Sequence, residues 1–256
     1  MNLSTNNLSK KNLITVVVPS LNQGNYLDKA LSSIFEQNVS VEVFLMDGGS
    51  TDNSLKIINK WKNKLCFWRS HKDNGQASAI NEGVALGSAP YICWLNSDDW
   101  FLPEGLVTLL NVLENNKNID VAYGKTWEFK ERNGKIPSTW VEPFNEYRLA
   151  LRCIISQPAT LIRRSAWEFA KGLDDDLQMA LDYDLWWRIY RNNGNIEFVD
   201  EYIAVNRDHR KTKTNKQRAK HYHEAIKVVK KHYGSVPLKW RLAQPYSVWF
   251  RSIWPF

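Results

Sequence analysis

The sequence predicts an α/β domain, a mostly parallel sheet with helices on both faces. Two observations predict it. Short apolar runs of strand length alternate with stretches of helical period, and the alternation recurs four times at a spacing of roughly 25 residues, which calls for right-handed crossovers. The segments that follow the four runs are all polar and three contain Asp. That is the pattern expected where a parallel sheet offers the carboxyl ends of its strands to a ligand.

The elements follow in order. Leu13–Val18 (LITVVV) is a continuous β-branched run suited to a strand buried on both faces, and Pro19 ends it. Tyr26–Phe35 places Leu27, Ala30, Leu31, Ile34 and Phe35 at helical spacing. Val41–Met46 is the second strand, stopped by Asp47-Gly48-Gly49-Ser50. A helix from Asp52 to Trp61 turns Leu55, Ile57, Ile58 and Trp61 inward. Leu65–Trp68 is a third strand, Gln76–Leu86 a helix, Tyr91–Leu95 a fourth strand, and the helix Pro103–Leu113 closes the first half.

The second half is less regular. Val121–Tyr123 and Thr126–Phe129 read as short strands, with a turn at Asn133-Gly134. Pro158–Ile162 reads as a strand and Ser165–Ala170 as a short helix. Leu181–Arg191 is a helix with Leu185, Trp186 and Ile189 inward. Ile196–Val199 and Tyr202–Val205 are short strands, and a long basic helix covers Lys213–His232. No low-complexity linker or internal repeat divides the chain, so one domain with an appended C-terminal segment is expected.

At 256 residues, 43% hydrophobic and 24% charged, the composition is that of a globular protein with a sizeable core. No stretch approaches a membrane span, and the start, with Asn2, Ser4, Asn6 and Asn7, lacks a signal-peptide core. Cys66, Cys93 and Cys153 are far apart in apolar runs and read as reduced core thiols, which fits a cytoplasmic protein. The net charge of +7 is uneven. From Asn206 to Phe256 thirteen Lys and Arg face two acids, a balance of +11 that leaves −4 for the rest. A basic tail on a slightly acidic body favours an anionic partner, although a solvated helix face explains part of it.

The junction after the fourth strand is the most informative point. Tyr91-Ile-Cys-Trp-Leu95 opens into Asn96-Ser97-Asp98-Asp99. Adjacent carboxylates repel, and the cost is offset when a cation sits between them and an anionic ligand. The competing reading is an acidic cap for the helix that follows. The polar segments Pro19–Asn22, Asp47–Asp52 and Ser70–Gln76 fall at the same sheet edge, which favours a nucleotide-type pocket.

Six segments in order then resemble the family 2 glycosyltransferases, enzymes of the GT-A fold. They are TVVVPSLNQGNYL (15–27), MDGGSTDNS (46–54), DNGQASAINEGVALG (73–87), WLNSDDWFLP (94–103), LDYDLWWRI (181–189) and NRDH (206–209). The resemblance spans residues 13–210. It implies a nucleotide-binding half over about 13–116 and an acceptor half over about 117–210, between an extension at 1–12 and a basic, aromatic tail at 211–256.

The resemblance also implies roles. Pro19, Ser20, Leu21 and Asn22 line the nucleotide, Asp47 accepts a hydrogen bond from its base, and Asp73 and Gln76 lie near ribose and base. Asp47 or Ser50 as a helix cap and Asp73 as a turn former are the structural alternatives. Asn96 and Ser97 also face the nucleotide, and Asp98 is the carboxylate that binds Mn2+ or Mg2+, whose preference is for hard oxygen ligands. Asn96 departs from the family's Asp and removes a charge beside the metal. Asp99 and His209 complete the metal set, and Arg207, Arg210 and Lys211 steady the diphosphate. Asp182 matches the catalytic base, with Asp184 as the alternative. Leu181 replaces the acid usual before the base, and an apolar neighbour should raise the carboxyl pKa by desolvation. Trp100, Trp127, Trp140 and Gln157 are candidates for acceptor contacts, whereas Trp61 and Trp186 fall on core faces.

The implied activity is an inverting, metal-dependent transfer of a sugar from a nucleoside-diphosphate donor, UDP or dTDP favoured, to a glycan or lipid-linked acceptor, as in bacterial surface polysaccharide assembly. Two other readings stay open: a nucleotide-sugar or glycan-binding module with a degenerate site, motivated by Asn96 and Leu181, and a sugar nucleotidylyltransferase. The latter would need a Gly-rich, basic loop after the first strand, and none is seen. The tail 236–256 mixes bases with aromatics and three prolines, which suits attachment to an anionic membrane surface on the cytoplasmic face; packing on the body or on a second copy in a homo-oligomer is the alternative. No nucleic-acid motif accompanies it.

Overall fold

The computed structural model describes residues 12–130, 133–208 and 212–250. The first half is the parallel sheet expected. Strand β1 (Ile14–Ser20) is buried along its whole length because it lies between β2 (Val41–Asp47) and β4 (Tyr91–Trp94), with β3 (Phe67–Ser70) outside β2. The β-branched run alternates between two cores. Val17, Phe44 and Met46 point to one face and meet α3 (Gln76–Leu86) through Ala77, Ile80 and Val84. Val16, Val18, Val43 and Leu45 point to the other. There they meet α1 (Leu27–Phe35), α2 (Ser54–Trp61) and α4 (Gly105–Asn115). Both faces therefore call for apolar residues, and this is why these strands lack polar alternation; the exceptions, Thr15 and Glu42, are buried but hydrogen-bonded to each other at 2.6 Å. Leu55 is the exception on α2, 40% exposed where the helical period turned it inward.

Beyond β4 the pairing turns antiparallel. β4 meets β8 (Thr160–Arg163), β8 meets β6 (Val121–Lys130), and β6 runs parallel to β9 (Ile196–Asp208). β7 (Gly134–Pro137) forms a hairpin on β6, and the two-residue β5 (Trp100–Phe101) pairs with Val205 and Ala204. The sequence divided β6 and β9 into two short strands each, whereas each is continuous. The register shifts between Gly124 and Thr126, so that Gly124 opposes Val199 but Lys125 opposes Tyr202. Asp200 and Glu201 sit in that irregularity; their polarity marks a bulge and not a strand end.

In the second half α5 (Glu146–Leu151), α6 (Arg164–Phe169) and α7 (Leu181–Arg191) cover the sheet. Trp186 is fully buried and stacks on Trp94 at 6.1 Å. The basic helix is broken at Gln217 into α8 (Lys213–Lys216) and α9 (Arg218–Tyr233), and Gly234 ends α9 at φ 84°. Ala225, Val228 and Val229 enter the same core as α7, so α9 is part of the packed body. Helix α10 (Leu238–Gln244) follows.

Asp184, on the first turn of α7, fastens these helices. It is fully buried and accepts hydrogen bonds from Arg188 Nε (2.6 Å), His232 Nε2 (2.8 Å) and Lys231 Nζ (3.2 Å). Burial alone would push its carboxyl up, but the hydrogen bonds from His232 and Arg188 and the nearby charges outweigh it and hold the group well below its usual 3.8. Its contribution to stability is thus present above about pH 4 and is lost as acid protonates the carboxylate. Asp184→Ala leaves the shielded Arg188 guanidinium and His232 ring without their acceptor and should cost about 3 kcal/mol or more of unfolding free energy, read by urea denaturation. A loss under about 1 kcal/mol, the value of an exposed pair, would contradict this assignment.

Candidate active site

The four polar segments all emerge at the carboxyl ends of β1–β4, and a cleft of about 880 Å³ opens there. Pro19, Ser20, Leu21, Asp73, Gln76, Asn96, Ser97 and Asp98 line it. Asn22 and Asp47 lie outside the lining and knit the strand ends together. Asp47 is fully buried; it accepts from Ser50 Oγ (2.5 Å) and Ser70 Oγ (2.6 Å) and from the N–H groups of Gly49 and Ser50. Asn22 accepts from Thr51 N at 2.8 Å, while its own N–H donates to Ser50 Oγ at 2.7 Å. The glycine after Asp47 reaches the cleft instead. A Cβ at Gly48 would sit 3.4 Å from Asp73 Oδ2, so the backbone comes close to a carboxylate on the cleft wall. Arg69, which sequence reasoning missed, is 6% exposed and joins the segments: it donates to the Asp47 carbonyl at 2.9 Å and pairs with Asp73 at 3.2 Å and Glu82 at 2.7 Å.

After β4 a chain of amides sets the wall. Gln76 Nε2 donates to Asn96 Oδ1 at 2.7 Å, and Asn96 Nδ2 lies 3.2 Å from Asp99 Oδ2 and 3.3 Å from Gln157 Oε1. Gln157 in turn donates to the Trp94 carbonyl at 2.7 Å. Asp99, 2% exposed, accepts the backbone N–H of Arg207 at 2.8 Å, and Arg207 Nε returns a bond to the Asp98 carbonyl at 3.0 Å. Burial, and next the charge of Asp98, raise the Asp99 carboxyl well above the usual range. The Arg207 guanidinium lies 4.7 Å from the rings of both Tyr26 and Trp100 and 5.1 Å from Phe129, a cation caged by three aromatics. Trp100 is 8% exposed and serves as part of that cage, outside the cleft lining. His209, Arg210 and Lys211 lie outside the described residues.

These residues fit a divalent cation that arrives with a nucleotide. Asp98 brings a hard carboxylate to the cleft, and Asp99 beside it is held by donors of the protein. Among the described residues no three His, Cys, Asp or Glu side chains cluster as a self-sufficient metal site. A cation held at Asp98 would draw its other ligands from phosphate oxygens and water, as is usual for Mg2+.

The cleft extends to α7. Asp182 lines it, half-buried on the first turn, with Tyr183 N donating to its Oδ1 at 2.9 Å. Burial pushes its carboxyl up to about 6. The thiol of Cys153, a neighbour in the lining, is raised by its own burial and then by the charge of Asp182. Asp184, two residues on, is spent on the ion cluster beneath and does not reach the lining. Trp140 and Gln157 line the cleft; Trp127 instead stacks on Tyr202 at 4.3 Å.

Sequence reasoning missed a wall made by the C-terminal helices. Lys213, Lys216, Gln217 and His221 line the cleft, as do Ala225 and Trp240. Burial, and next repulsion from Lys220, lower the Lys213 amine; burial, outweighing the nearby Glu224 carboxylate, lowers His221. Trp240 is anchored by its Nε1, which donates to the Ala150 carbonyl at 2.8 Å.

Comparison with known proteins matches the family model described as glycosyl transferase family 2 to residues 15–168. The chain is 25% identical over 190 residues to a hyaluronan synthase of Pasteurella multocida, which covers 73% of this chain and 20% of that protein. It is 30% identical over 193 residues to an uncharacterized glycosyltransferase of Rickettsia bellii, covering 70% and 27%. The chain thus spans only about a fifth to a quarter of the length of these relatives. Among solved structures, S. aureus TarS 1–349 in complex with UDP-GlcNAc superposes with a TM-score of 0.68 at 18% identity, covering 95% of this chain and 73% of that one. The Pyrobaculum calidifontis mannosyltransferase PcManGT, in complex with GDP-Man and Mn2+, gives 0.69 at 16% identity over 94% and 73%. These likenesses establish the GT-A fold.

Proposed function

The chain belongs to glycosyl transferase family 2, and from that premise we propose that it moves a sugar from a nucleoside-diphosphate donor to a hydroxyl of a glycan or lipid-linked glycan, with inversion at the anomeric carbon. One observation carries this reading: a single cleft is lined by Asp98, at the end of a nucleotide-type sheet, and by Asp182, a carboxyl raised to about 6. Bound at Asp98, Mn2+ or Mg2+ would offset charge developing on the leaving diphosphate. Asp182 takes the proton of the acceptor hydroxyl as its oxygen bonds to the anomeric carbon and the bond to the diphosphate breaks. A base with a pKa near 6 is mostly ionised at neutral pH yet basic enough to share that proton in the transition state. Arg207, fixed between the Asp98 carbonyl and three rings, steadies the strand end that carries it toward the diphosphate.

UDP or dTDP is the favoured donor nucleotide. The UDP-GlcNAc complex of TarS supports a uridine donor, whereas the GDP-Man complex of PcManGT favours guanosine, so the donor panel must include both. The hyaluronan and chondroitin synthases among the relatives support polysaccharide assembly as the setting. No helix among the described residues is long and apolar enough to cross a membrane. Leu238, Leu242 and Tyr246 are 65%, 72% and 58% exposed at four-residue spacing, beside the bases Lys239 and Arg241, which supports contact with an anionic membrane surface on the cytoplasmic face.

A pH profile tests the base. Because Asp182 must be ionised, kcat should fall tenfold per pH unit below about pH 6 and level off above it. A profile flat down to about pH 4 would remove Asp182 from this role.

A further inference from the structure

We propose that Glu224, on the C-terminal helix α9, is a positioning residue that holds the catalytic wall in place for sugar transfer; this rests on Asp182 being the base. Glu224 is 8% exposed, and one oxygen, Oε2, accepts the backbone N–H groups of Gln178 (3.1 Å), Met179 (2.7 Å) and Ala180 (3.2 Å). Those three residues lead directly into α7, and Asp182 lies two positions beyond Ala180. These N–H groups precede α7 and lie outside its hydrogen-bond ladder, and shielded N–H groups need an acceptor from elsewhere. The position before α7, Ala180, provides no side-chain cap. A carboxylate from a helix 44 residues later supplies that acceptor and so fixes the approach of the chain to the first turn of α7.

The same segment forms the cleft. Gln178 and Met179 line it together with Asp182, and the Gln178 side chain lies 3.4 Å from where a Cβ of Gly75 would stand, bridging to the donor-side turn. Glu224 is one turn of helix from His221 and adjacent to Ala225, which also line the cleft. One carboxylate thereby fixes both the aim of Asp182 and the seat of the basic C-terminal wall against it. Since misplacement of a reacting group by about 1 Å can cost 100-fold in rate, loosening this clamp should slow transfer without weakening the hold on the nucleotide.

The experiment compares Glu224→Ala, Glu224→Gln and Val228→Ala in the full chain. Val228, 2% exposed, anchors α9 in the core and, being apolar, accepts none of the 178–180 N–H groups, so its truncation controls for lost stability. Glu224→Ala should lower kcat at least tenfold with the donor KM and nucleotide affinity within twofold of the parent. Glu224→Gln keeps an oxygen for the three N–H groups and should retain at least a third of kcat. Val228→Ala should keep near-parental kcat at a comparable drop in Tm. The proposal is overturned if Glu224→Ala retains kcat, if Glu224→Gln is as impaired as Glu224→Ala, or if Val228→Ala loses kcat in proportion to its Tm. Should Glu224→Ala not fold, the Gln variant and the Val228 control decide on the same criteria. Asp182→Asn run in parallel separates the two readings: retained turnover there removes the base itself, whereas its loss beside an unaffected Glu224→Ala removes only the clamp.

Discussion

Asp182→Asn should reduce sugar transfer by roughly a thousandfold, the range in which a positioned general base contributes, and leave nucleotide affinity within about twofold. The substitution conserves size and the hydrogen bond from Tyr183 N, so the first turn of α7 is preserved. What is lost is the ability to accept a proton. Because Asp182 titrates near 6, owing to its burial, its charged form is costly to the fold at neutral pH, and Asn should melt no lower than the parent. Loss of turnover at unchanged or higher Tm distinguishes a chemical role from a structural one. The same test applied to Asp184 has the opposite outcome, since that carboxylate is buried under Arg188, Lys231 and His232 and its loss is a loss of stability.

The second large effect belongs to Asp98. Asp98→Asn removes the proposed hard ligand in the cleft lining and should lower kcat roughly a hundredfold at fixed Mn2+, equivalent to a few kcal/mol of transition-state stabilisation. Part of the loss should be recovered as Mn2+ is raised, because the variant weakens cation binding before it changes chemistry. Rates indifferent to metal concentration in parent and variant alike would remove the cation from Asp98. Asn96 already stands where a second carboxylate is usual in the family, and its amide is tied to Gln76, Asp99 and Gln157. With so few protein ligands, cation binding without nucleotide should be weak.

The first half of the fold was legible because its physics is local. A strand buried on both faces is mostly apolar and β-branched, and the run at Ile14–Val18 says so without knowledge of its neighbours. Crossover helices announce themselves by period, and the polar strand ends follow from topology. The second half hides its order in long-range pairing. β9 reads as two strands because Asp200 and Glu201 interrupt it, and only the register against β6 shows a bulge. β5 is two residues long and exists because β9 lies beside it.

The carboxylates were visible as a group with Asp182 preferred to Asp184, but the contacts that separate their surroundings were not. Asp99 is told apart from Asp98 by the backbone of Arg207, 108 residues away, and Asp184 from Asp182 by the donors Lys231 and His232 on α9. The C-terminal wall was missed for a different reason. Lys213, Lys216 and His221 look like a solvated basic face, and a net charge of +11 over the last 51 residues strengthens that impression. The signal that could have corrected it was there in Ala225, Val228 and Val229, an apolar stripe at helical spacing that has to be buried against something.

The most direct test of the account is thermal stabilisation by a panel of UDP, dTDP, GDP and other nucleoside diphosphates, each with Mn2+, Mg2+ or chelator. The account predicts that one diphosphate raises Tm, that the rise disappears with chelator and in Asp98→Asn, and that it survives in Asp182→Asn. Stabilisation indifferent to chelator, or none by any diphosphate, would contradict a cation-assisted nucleotide-sugar site in this cleft.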